Sequence, residues 1–299
     1  MIFSIPFELL ALTLFASVLS LIGGITFLYT KRLSVFLEKY GVPFAAGTMI
    51  VTALVGLLPE AMHALGVTSL VVFTFSFLLL FVIEKLLLQV HHHSHADNAQ
   101  TKHTLHTAVP IVLIGDTLHN FIDGVAIAVA YAVNPGLAVV TALSTFLHEV
   151  PHEIGDFSIL LKAGFSKKKV LIINVLSGLA SILGVVLVSY ISPSEDVMGY
   201  LLAITAGMFF YLGVVDFLPQ AFDSSHHDSF ASKLTVVAAV LGGAAVIALS
   251  LMAVPHSHEH AHADEDSHLY EQEGEGHDHT KPDIHEEDHE HHDDEEHHE

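Results

Sequence analysis

The stretch GDTLHNFIDGVAIAVAY spans residues 115–131, and the stretch FLHEVPHEIGDF spans residues 146–157. These two stretches constrain both the fold and the chemistry of the chain. Both stretches lie in long apolar segments, yet together they hold five carboxylates and three histidines: Asp116, Asp123, Glu149, Glu153, Asp156, His119, His148 and His152. A carboxylate at the centre of a bilayer costs about 2.5–3.5 kcal/mol on insertion scales. These side chains must therefore face the interior of a helix bundle, where we expect a positively charged group or ion beside them.

The composition is that of a membrane protein. Apolar residues make up 52% of the 299 residues, and the mean hydropathy is +0.55 despite a very polar C-terminal stretch. The chain has no cysteine, so a metal site would have to use histidine, carboxylate and amide ligands. Most of the net charge of −22 lies in residues 255–299, which hold 18 acidic residues against one lysine. Nothing indicates binding to nucleic acid.

Eight apolar runs are long enough, at about 20 residues each, to cross a bilayer as helices. They are residues 6–30, 43–63, 67–90, 108–133, 136–162, 168–191, 198–222 and 231–254. Ten of the 11 Lys and Arg residues fall in or beside the connections after helices 1, 3, 5 and 7, which the positive-inside rule makes cytoplasmic. The sequence thus predicts an all-α integral membrane protein with eight transmembrane helices and both termini outside the cytoplasm. We expect it in the plasma membrane or the bacterial inner membrane.

Two parts of the chain are rich in histidine outside the spans. We predict a transmembrane domain at residues 1–254, which includes a cytoplasmic loop at residues 91–107, and a disordered tail at residues 255–299. The tail holds 13 histidines, and the loop holds a further cluster. Such composition indicates weak, multivalent capture of metal ions. For the tail, an acidic run that only improves solubility is the alternative.

Helical geometry brings the polar residues of helices 4 and 5 onto two facing stripes. At about 100° per residue, two residues four positions apart share one helix face. Facing stripes of this kind would hold two cations. His119, Asp123, His148 and His152 would surround one cation, and Asn120, Asp123, Glu149 and His152 the other. Asp123 and His152 would then each bind both cations. Imidazole combined with carboxylate favours Zn²⁺, with Fe²⁺, Mn²⁺ and Cd²⁺ as further candidates.

Further acidic residues are candidates for supporting roles. Asp116, Glu153 and Asp156 lie beside the predicted ligands and would orient them or line the pathway. Glu60 and Asp216 lie near helix ends, where they would form an entry or exit funnel, with a solvated helix terminus as the alternative.

A short internal match connects helices 2 and 7. Residues 57–61, LLPEA, resemble residues 217–221, FLPQA. The two helices run in opposite directions across the predicted membrane, so the match suggests an inverted-topology repeat. Two proline kinks in apolar helices are the alternative explanation.

The motifs of helices 4 and 5 resemble those of the ZIP family of metal-ion transporters, in its LIV-1-like branch. The resemblance rests on residues 119–124, HNFIDG, and residues 148–156, HEVPHEIGD, together with the helix count, the outside termini and the His-rich loop. It implies a 3+2+3 helix arrangement, with the outer triplets as inverted repeats. It also implies a homodimer that moves zinc and related divalent metals towards the cytoplasm, with no enzymatic activity and no cofactor apart from the transported ion. The ligands that the resemblance implies are His119, Asn120, Asp123, His148, Glu149 and His152.

Two other functions share part of this pattern. Residues 148–152 also satisfy HExxH, the motif of zinc metalloproteases, so an intramembrane protease is the main alternative. Pro151 inside the motif kinks the helix, and the site offers more ligands than the three that a catalytic zinc with an open water position uses. A cation-diffusion exporter would share the His-rich loop. It should, however, place its ligands on two non-adjacent helices among six spans.

Overall fold

The computed structural model of the chain is all-α and describes residues 5–85, 98–223 and 229–254. The described residues form eight helical segments, which we number α1–α8. These are α1 (Phe7–Tyr29), α2 (Lys31–Leu65), α3 (Thr68–Ile83), α4 (Asn98–Val133), α5 (Pro135–Lys162), α6 (Lys167–Ile191), α7 (Glu195–Phe222) and α8 (Phe230–Met252). The predicted tail at residues 255–299 lies outside the described residues.

Several segments depart locally from regular α-helix. In α1, a 3₁₀ turn at Leu19–Leu21 separates Phe7–Ser17 from Ile22–Tyr29. In α2, π-helical turns at Leu37–Gly41 and Thr52–Leu57 separate Lys31–Phe36, Val42–Val51 and Leu58–Leu65. Segment α6 consists of Lys167–Gly178 and Ala180–Ile191, and in α7 the π-helical turn Leu212–Phe217 follows Glu195–Tyr211.

Six of the described helices are long and apolar enough to cross a membrane. They are α1, α2, α6, α7, α8 and the part of α4 at Val112–Val133. Segment α3 is apolar but has 16 residues, and α5 has 28 residues with five acidic or imidazole side chains between His148 and Asp156. The chain is therefore an all-α, multi-pass membrane protein with six candidate spans among its described residues. The count of eight spans stays a prediction.

The predicted cytoplasmic loop is partly helical. Segment α4 begins at Asn98, so residues 98–107 of the predicted loop are helical, whereas the candidate span begins only at Val112. The cytoplasmic place of residues 91–107 stays a prediction. Ala99, Gln100 and Lys102 are good helix formers, and extending an existing helix costs far less than nucleating a new one. The apolar part of α4 therefore continues into this polar stretch. Residues 86–97 lie outside the described part of the chain.

A one-residue turn connects the two segments that carry the site. The side chain of Asn134 accepts hydrogen bonds from the backbone N–H groups of Gly136, at 2.7 Å, and Leu137, at 3.4 Å. Pro135 occupies the first position of α5, where its missing N–H costs nothing. The sequence NPG thus ends α4 and begins α5 with a single residue between them. The two helices pack against each other.

Segments α4 and α5 are also held closely by their other neighbours. Segment α5 packs against α1 and α2, and α4 packs against α6. Gly23 of α1 lies against the carbonyl group of Val150, and Gly124 of α4 lies against the carbonyl group of Ser181, so a Cβ atom at either glycine would overlap backbone. Small residues permit this close approach of membrane helices. These glycine contacts therefore fix the backbone positions of α4 and α5, which carry the polar residues.

The two matching motifs of helices 2 and 7 share an unusual conformation. The π-helical turn Thr52–Leu57 directly precedes Leu58 and Pro59, and the π-helical turn Leu212–Phe217 directly precedes Leu218 and Pro219. Such turns are rare and frequently mark functional sites. The sequence match between these segments thus coincides with a structural match.

Candidate metal centre

Four potential metal ligands from α4 and α5 converge in the described core. His119 and Asp123 lie one turn apart on α4, whereas His148 and Glu149 are neighbours on α5. One donor atom from each of these side chains lies within 4.8 Å of the others. Asp123, His148 and Glu149 are buried, and the side chain of His119 retains 11% exposure. We call these four residues the first group.

The donor atoms of the first group point at one another. His119 Nε2 lies 3.0 Å from Glu149 Oε1 and 3.7 Å from Asp123 Oδ2. His148 Nε2 lies 3.3 Å from Asp123 Oδ2 and 3.7 Å from Glu149 Oε1. The two Nε2 atoms are 3.3 Å apart. Two imidazole nitrogens and two carboxylate oxygens thus surround a common point, as the ligands of a four-coordinate cation do.

A backbone carbonyl group orients the ring of His148. His148 Nδ1 lies 2.9 Å from the carbonyl oxygen of Ser144, one turn earlier on α5. Because a carbonyl oxygen can only accept a hydrogen bond, Nδ1 carries the hydrogen. The Nε2 lone pair of the neutral ring is then directed into the first group, as in ligating histidines generally. The sequence signal for this contact is the spacing of four residues between Ser144 and His148 on one helix.

Asp116, Glu149 and His152 form a second group, whose donor atoms also lie within 4.8 Å of one another. Glu149 is therefore common to both groups. The helical geometry predicts Asp123 and His152 as the shared ligands, whereas the structure has Asp123 in the first group and His152 in the second. His152 is the most open member, with a side-chain exposure of 27%.

Two further residues contact the second group. Asn120 Nδ2 donates a hydrogen bond to Asp116 Oδ1 at 2.9 Å, and Asn120 Oδ1 is buried without a hydrogen-bond partner. Asp156 Oδ2 lies 3.3 Å from His152 Nδ1, so it can fix the orientation of that ring. The amide oxygen of Asn120 is thus free to serve as a neutral ligand.

The centre holds many buried oxygens that lack a hydrogen-bond donor. These are both carboxylate oxygens of Asp123, Glu149 and Glu153, and Oδ2 of Asp116 and of Asp156. Within the described residues, the ion pairs of Asp123, Glu149 and Asp156 are with histidines, none with Lys or Arg. Buried carboxylates without compensation are costly. The site is therefore built to receive positive charge.

Aromatic side chains of α7 cover the histidines. The ring of Phe209 meets the ring of His148 edge-on, with centroids 5.5 Å apart. The ring of Phe217 is stacked on that of His152 with centroids 6.2 Å apart. These rings place apolar surface against one histidine of each group. Neither phenylalanine is predictable from the sequence, since a phenylalanine in an apolar helix carries no local signal of such a contact.

The remaining predicted residues lie around the centre. Glu153 is buried beside it but belongs to neither group. Asp216 is exposed, lies one residue before Phe217 in the π-helical turn of α7, and interacts electrostatically with His152. Glu60 is half-buried in the first turn after the π-helical turn of α2 and belongs to neither group.

Comparison with known proteins gives a consistent result. The profile of the ZIP Zinc transporter family matches residues 89–251, which is more than half of the chain. The chain is 38% identical over 146 residues to Zinc transporter foi of Drosophila melanogaster, covering 49% of this chain and 20% of that protein. It is 42% identical over 120 residues to Zinc transporter ZIP10 of Danio rerio, covering 39% and 14%, respectively.

The chain is also similar to a human zinc transporter. The chain is 38% identical over 109 residues to Zinc transporter ZIP4 of Homo sapiens, covering 36% of this chain and 17% of that protein. These relatives are members of the LIV-1 subfamily. The similarity spans about a fifth or less of the length of each of these three relatives.

Proposed function

The chain belongs to the ZIP zinc transporter family, and from this premise we propose that it carries Zn²⁺ towards the cytoplasm through the metal centre between α4 and α5. Fe²⁺, Mn²⁺ and Cd²⁺ are further candidate substrates. The observation that carries the proposal is the first group, in which two imidazoles and two carboxylates have their donor atoms within 4.8 Å of one another. This mixture of ligands suits Zn²⁺ better than the hard cations Mg²⁺ or Ca²⁺.

The family is one of transporters and not of enzymes, so the HExxH pattern at residues 148–152 is better explained by ligation of a transported ion than by proteolysis. The geometry of the first group agrees with this assignment. A protease zinc would use His148 and His152 together and leave Glu149 as a base. Here Glu149 instead faces His119 at 3.0 Å, in the position of a ligand.

We propose that the centre holds two cations at once. The ligands would be His119, Asn120, Asp123, His148, Glu149 and His152. Supporting this, the first and second groups share Glu149, and a carboxylate can bridge two cations with its two oxygens. Both oxygens of Glu149 are buried without a hydrogen-bond partner.

A transported ion also needs a route on each side of the centre. Asp156, Glu153 and the exposed Asp216 would line the cytoplasmic side, next to the most open ligand, His152. Glu60, which lies near the outer end of helix 2 in the predicted topology, would belong to the entry side. Negative charge on both sides would raise the local concentration of cations.

The proposed topology has eight spans with both termini outside the cytoplasm, in a plasma or bacterial inner membrane. The distribution of Lys and Arg supports this orientation. The π-helical turns before Pro59 and Pro219 support an inverted repeat between the outer helices, as a 3+2+3 arrangement requires. We further propose that the chain works as a homodimer, and that the histidines of residues 91–107 and of the tail capture metal.

The test is uptake of radioactive zinc into proteoliposomes that contain the intact chain. We expect uptake that saturates with zinc concentration and is lost in Asp123→Ala and His152→Ala. Thr235→Ala, which changes an exposed hydroxyl on α8, is the control and should transport like the unaltered chain. Zinc uptake that is indifferent to both substitutions in the centre would contradict the proposal.

A further inference from the structure

The second group contains a carboxylate with no ligand role in the function proposed above. Asp116 lies on α4, one turn before Asn120, and retains only 4% exposure. Its donor atom lies within 4.8 Å of those of Glu149 and His152. The same limit on donor-atom distances defines the first group. Asp116 is therefore as well placed to bind a cation as the predicted ligands are.

The two carboxylate oxygens of Asp116 have different surroundings. Oδ1 accepts the hydrogen bond from Asn120 Nδ2 at 2.9 Å, whereas Oδ2 is buried and has no hydrogen-bond partner. A buried carboxylate oxygen without a donor is costly unless a cation meets it. A role limited to holding Asn120 would account for Oδ1 but would leave Oδ2 unexplained.

The contact between these two residues also determines how Asn120 is presented. Because Asn120 Nδ2 donates to Asp116, the amide oxygen of Asn120 is turned away from that carboxylate. That oxygen is buried and has no hydrogen-bond partner of its own. Asp116 and Asn120 thus form a pair that offers one charged and one neutral oxygen.

The charge balance of the centre favours the same role. If Asp123 and Glu149 were the only ionised ligands, two divalent cations would leave two positive charges uncompensated in a buried environment. Asp116 as a third carboxylate would reduce this excess to one. In the described residues, Glu153 and Asp156 are the other buried carboxylates nearby, and neither belongs to the first or the second group.

We propose that Asp116 is a direct ligand of the second cation, together with Glu149, His152 and the amide oxygen of Asn120. This inference rests on the metal centre of the proposed function and adds a ligand to it. The second position is then rich in oxygen, with one imidazole, whereas the first has two imidazoles. Because oxygen ligands favour harder ions, the second position should accept Mn²⁺ more readily than the first.

The test counts zinc bound per chain after equilibrium dialysis of the intact protein in detergent. Asp116→Asn removes the charge but keeps an oxygen that can accept the hydrogen bond from Asn120. Asp196→Asn is the control, because it makes the same change at an exposed carboxylate in the first turn of α7, outside the centre. Zinc bound by the histidines of residues 91–107 and the tail is common to all variants and cancels in the comparison.

We expect Asp116→Asn to bind one zinc fewer than the unaltered chain at a zinc concentration that saturates the latter. Asp196→Asn should bind the same number as the unaltered chain. The zinc that Asp116→Asn retains in the first group reports that its fold is intact. An unchanged number in Asp116→Asn, or the loss of two zinc ions, would overturn the inference. Absence of transport in a chain that binds both ions would instead contradict the proposed function alone.

Discussion

His119 Nε2 and His148 Nε2 lie 3.3 Å apart, although the two histidines belong to different helices and are separated by 28 residues of chain. Two neutral imidazole nitrogens at this distance repel if both present a lone pair, and they attract if a cation lies between them and the nearby carboxylates. Because Ser144 fixes the hydrogen of His148 on Nδ1, the lone pair on Nε2 faces the centre. This arrangement is consistent with the proposed binding of one cation by both histidines.

Replacing His148 by alanine should weaken zinc binding. The substitution removes one of the four donors of the first group and leaves Asp123 without its 3.3 Å contact. Loss of residues that only orient a metal ligand costs about 10–100-fold in affinity, so the loss of a ligand itself should cost at least that much. Isothermal titration with zinc measures the change. His63→Ala, which removes an exposed histidine of α2, should leave this affinity unchanged.

Replacing Asp156 by asparagine should weaken zinc binding less than the loss of a ligand. Asp156 Oδ2 lies 3.3 Å from His152 Nδ1 and positions the ring, so the expected loss of affinity is about 10–100-fold. The same titration measures it, and the number of zinc ions bound at saturation should not change. A lower number of bound ions would show that Asp156 is itself a ligand. Asp196→Asn, in the first turn of α7, is the control.

Transport should be inhibited by acid. A histidine binds metal only when its imidazole is unprotonated, and the ordinary pKa of that group is about 6.5. Protons therefore compete with zinc more strongly as the pH falls. We expect the apparent zinc affinity of uptake to decrease as the pH is lowered from about 7.5 to about 5.5. Because several histidines contribute, more than one proton should compete with each zinc ion. An affinity that is constant over this range would argue against histidine ligands.

Replacing Gly124 by alanine should destabilise the protein. A Cβ atom at this position would overlap the carbonyl group of Ser181, so α4 and α6 would have to separate. Overpacking of this kind costs about 1–3 kcal/mol. Gly115→Ala is the matched control on the same helix, because no atom lies within 4 Å of its added Cβ, and it should stabilise by up to about 1 kcal/mol. Denaturant unfolding in detergent micelles measures both changes.

The sequence predicted the large features of this molecule because they depend on local composition. Long apolar runs predicted the helices, and the NPG turn at residues 134–136 separates α4 from α5 in the structure as it does in the sequence. The spacing of four residues between His119 and Asp123 placed both on one face of α4, where the structure also has them. These inferences need only the period of a helix.

The pairing of ligands across the two helices could not be predicted in the same way. A helical wheel gives the angle of each side chain, but it does not give the axial level at which one helix meets the other. The structure places Glu149 at the level of both His119 and His152, so it is Glu149 that the two groups share. The π-helical turns and the aromatic cover from α7 were likewise not predictable, because they depend on contacts between distant parts of the chain.

The most direct test of the account is anomalous diffraction at the zinc absorption edge, from crystals of the intact chain soaked with zinc. The account predicts a peak within bonding distance of His119 Nε2, His148 Nε2 and Glu149, and a second peak beside His152 on the other side of Glu149. Zinc found only at residues outside α4 and α5, with none between His119 and His148, would contradict it.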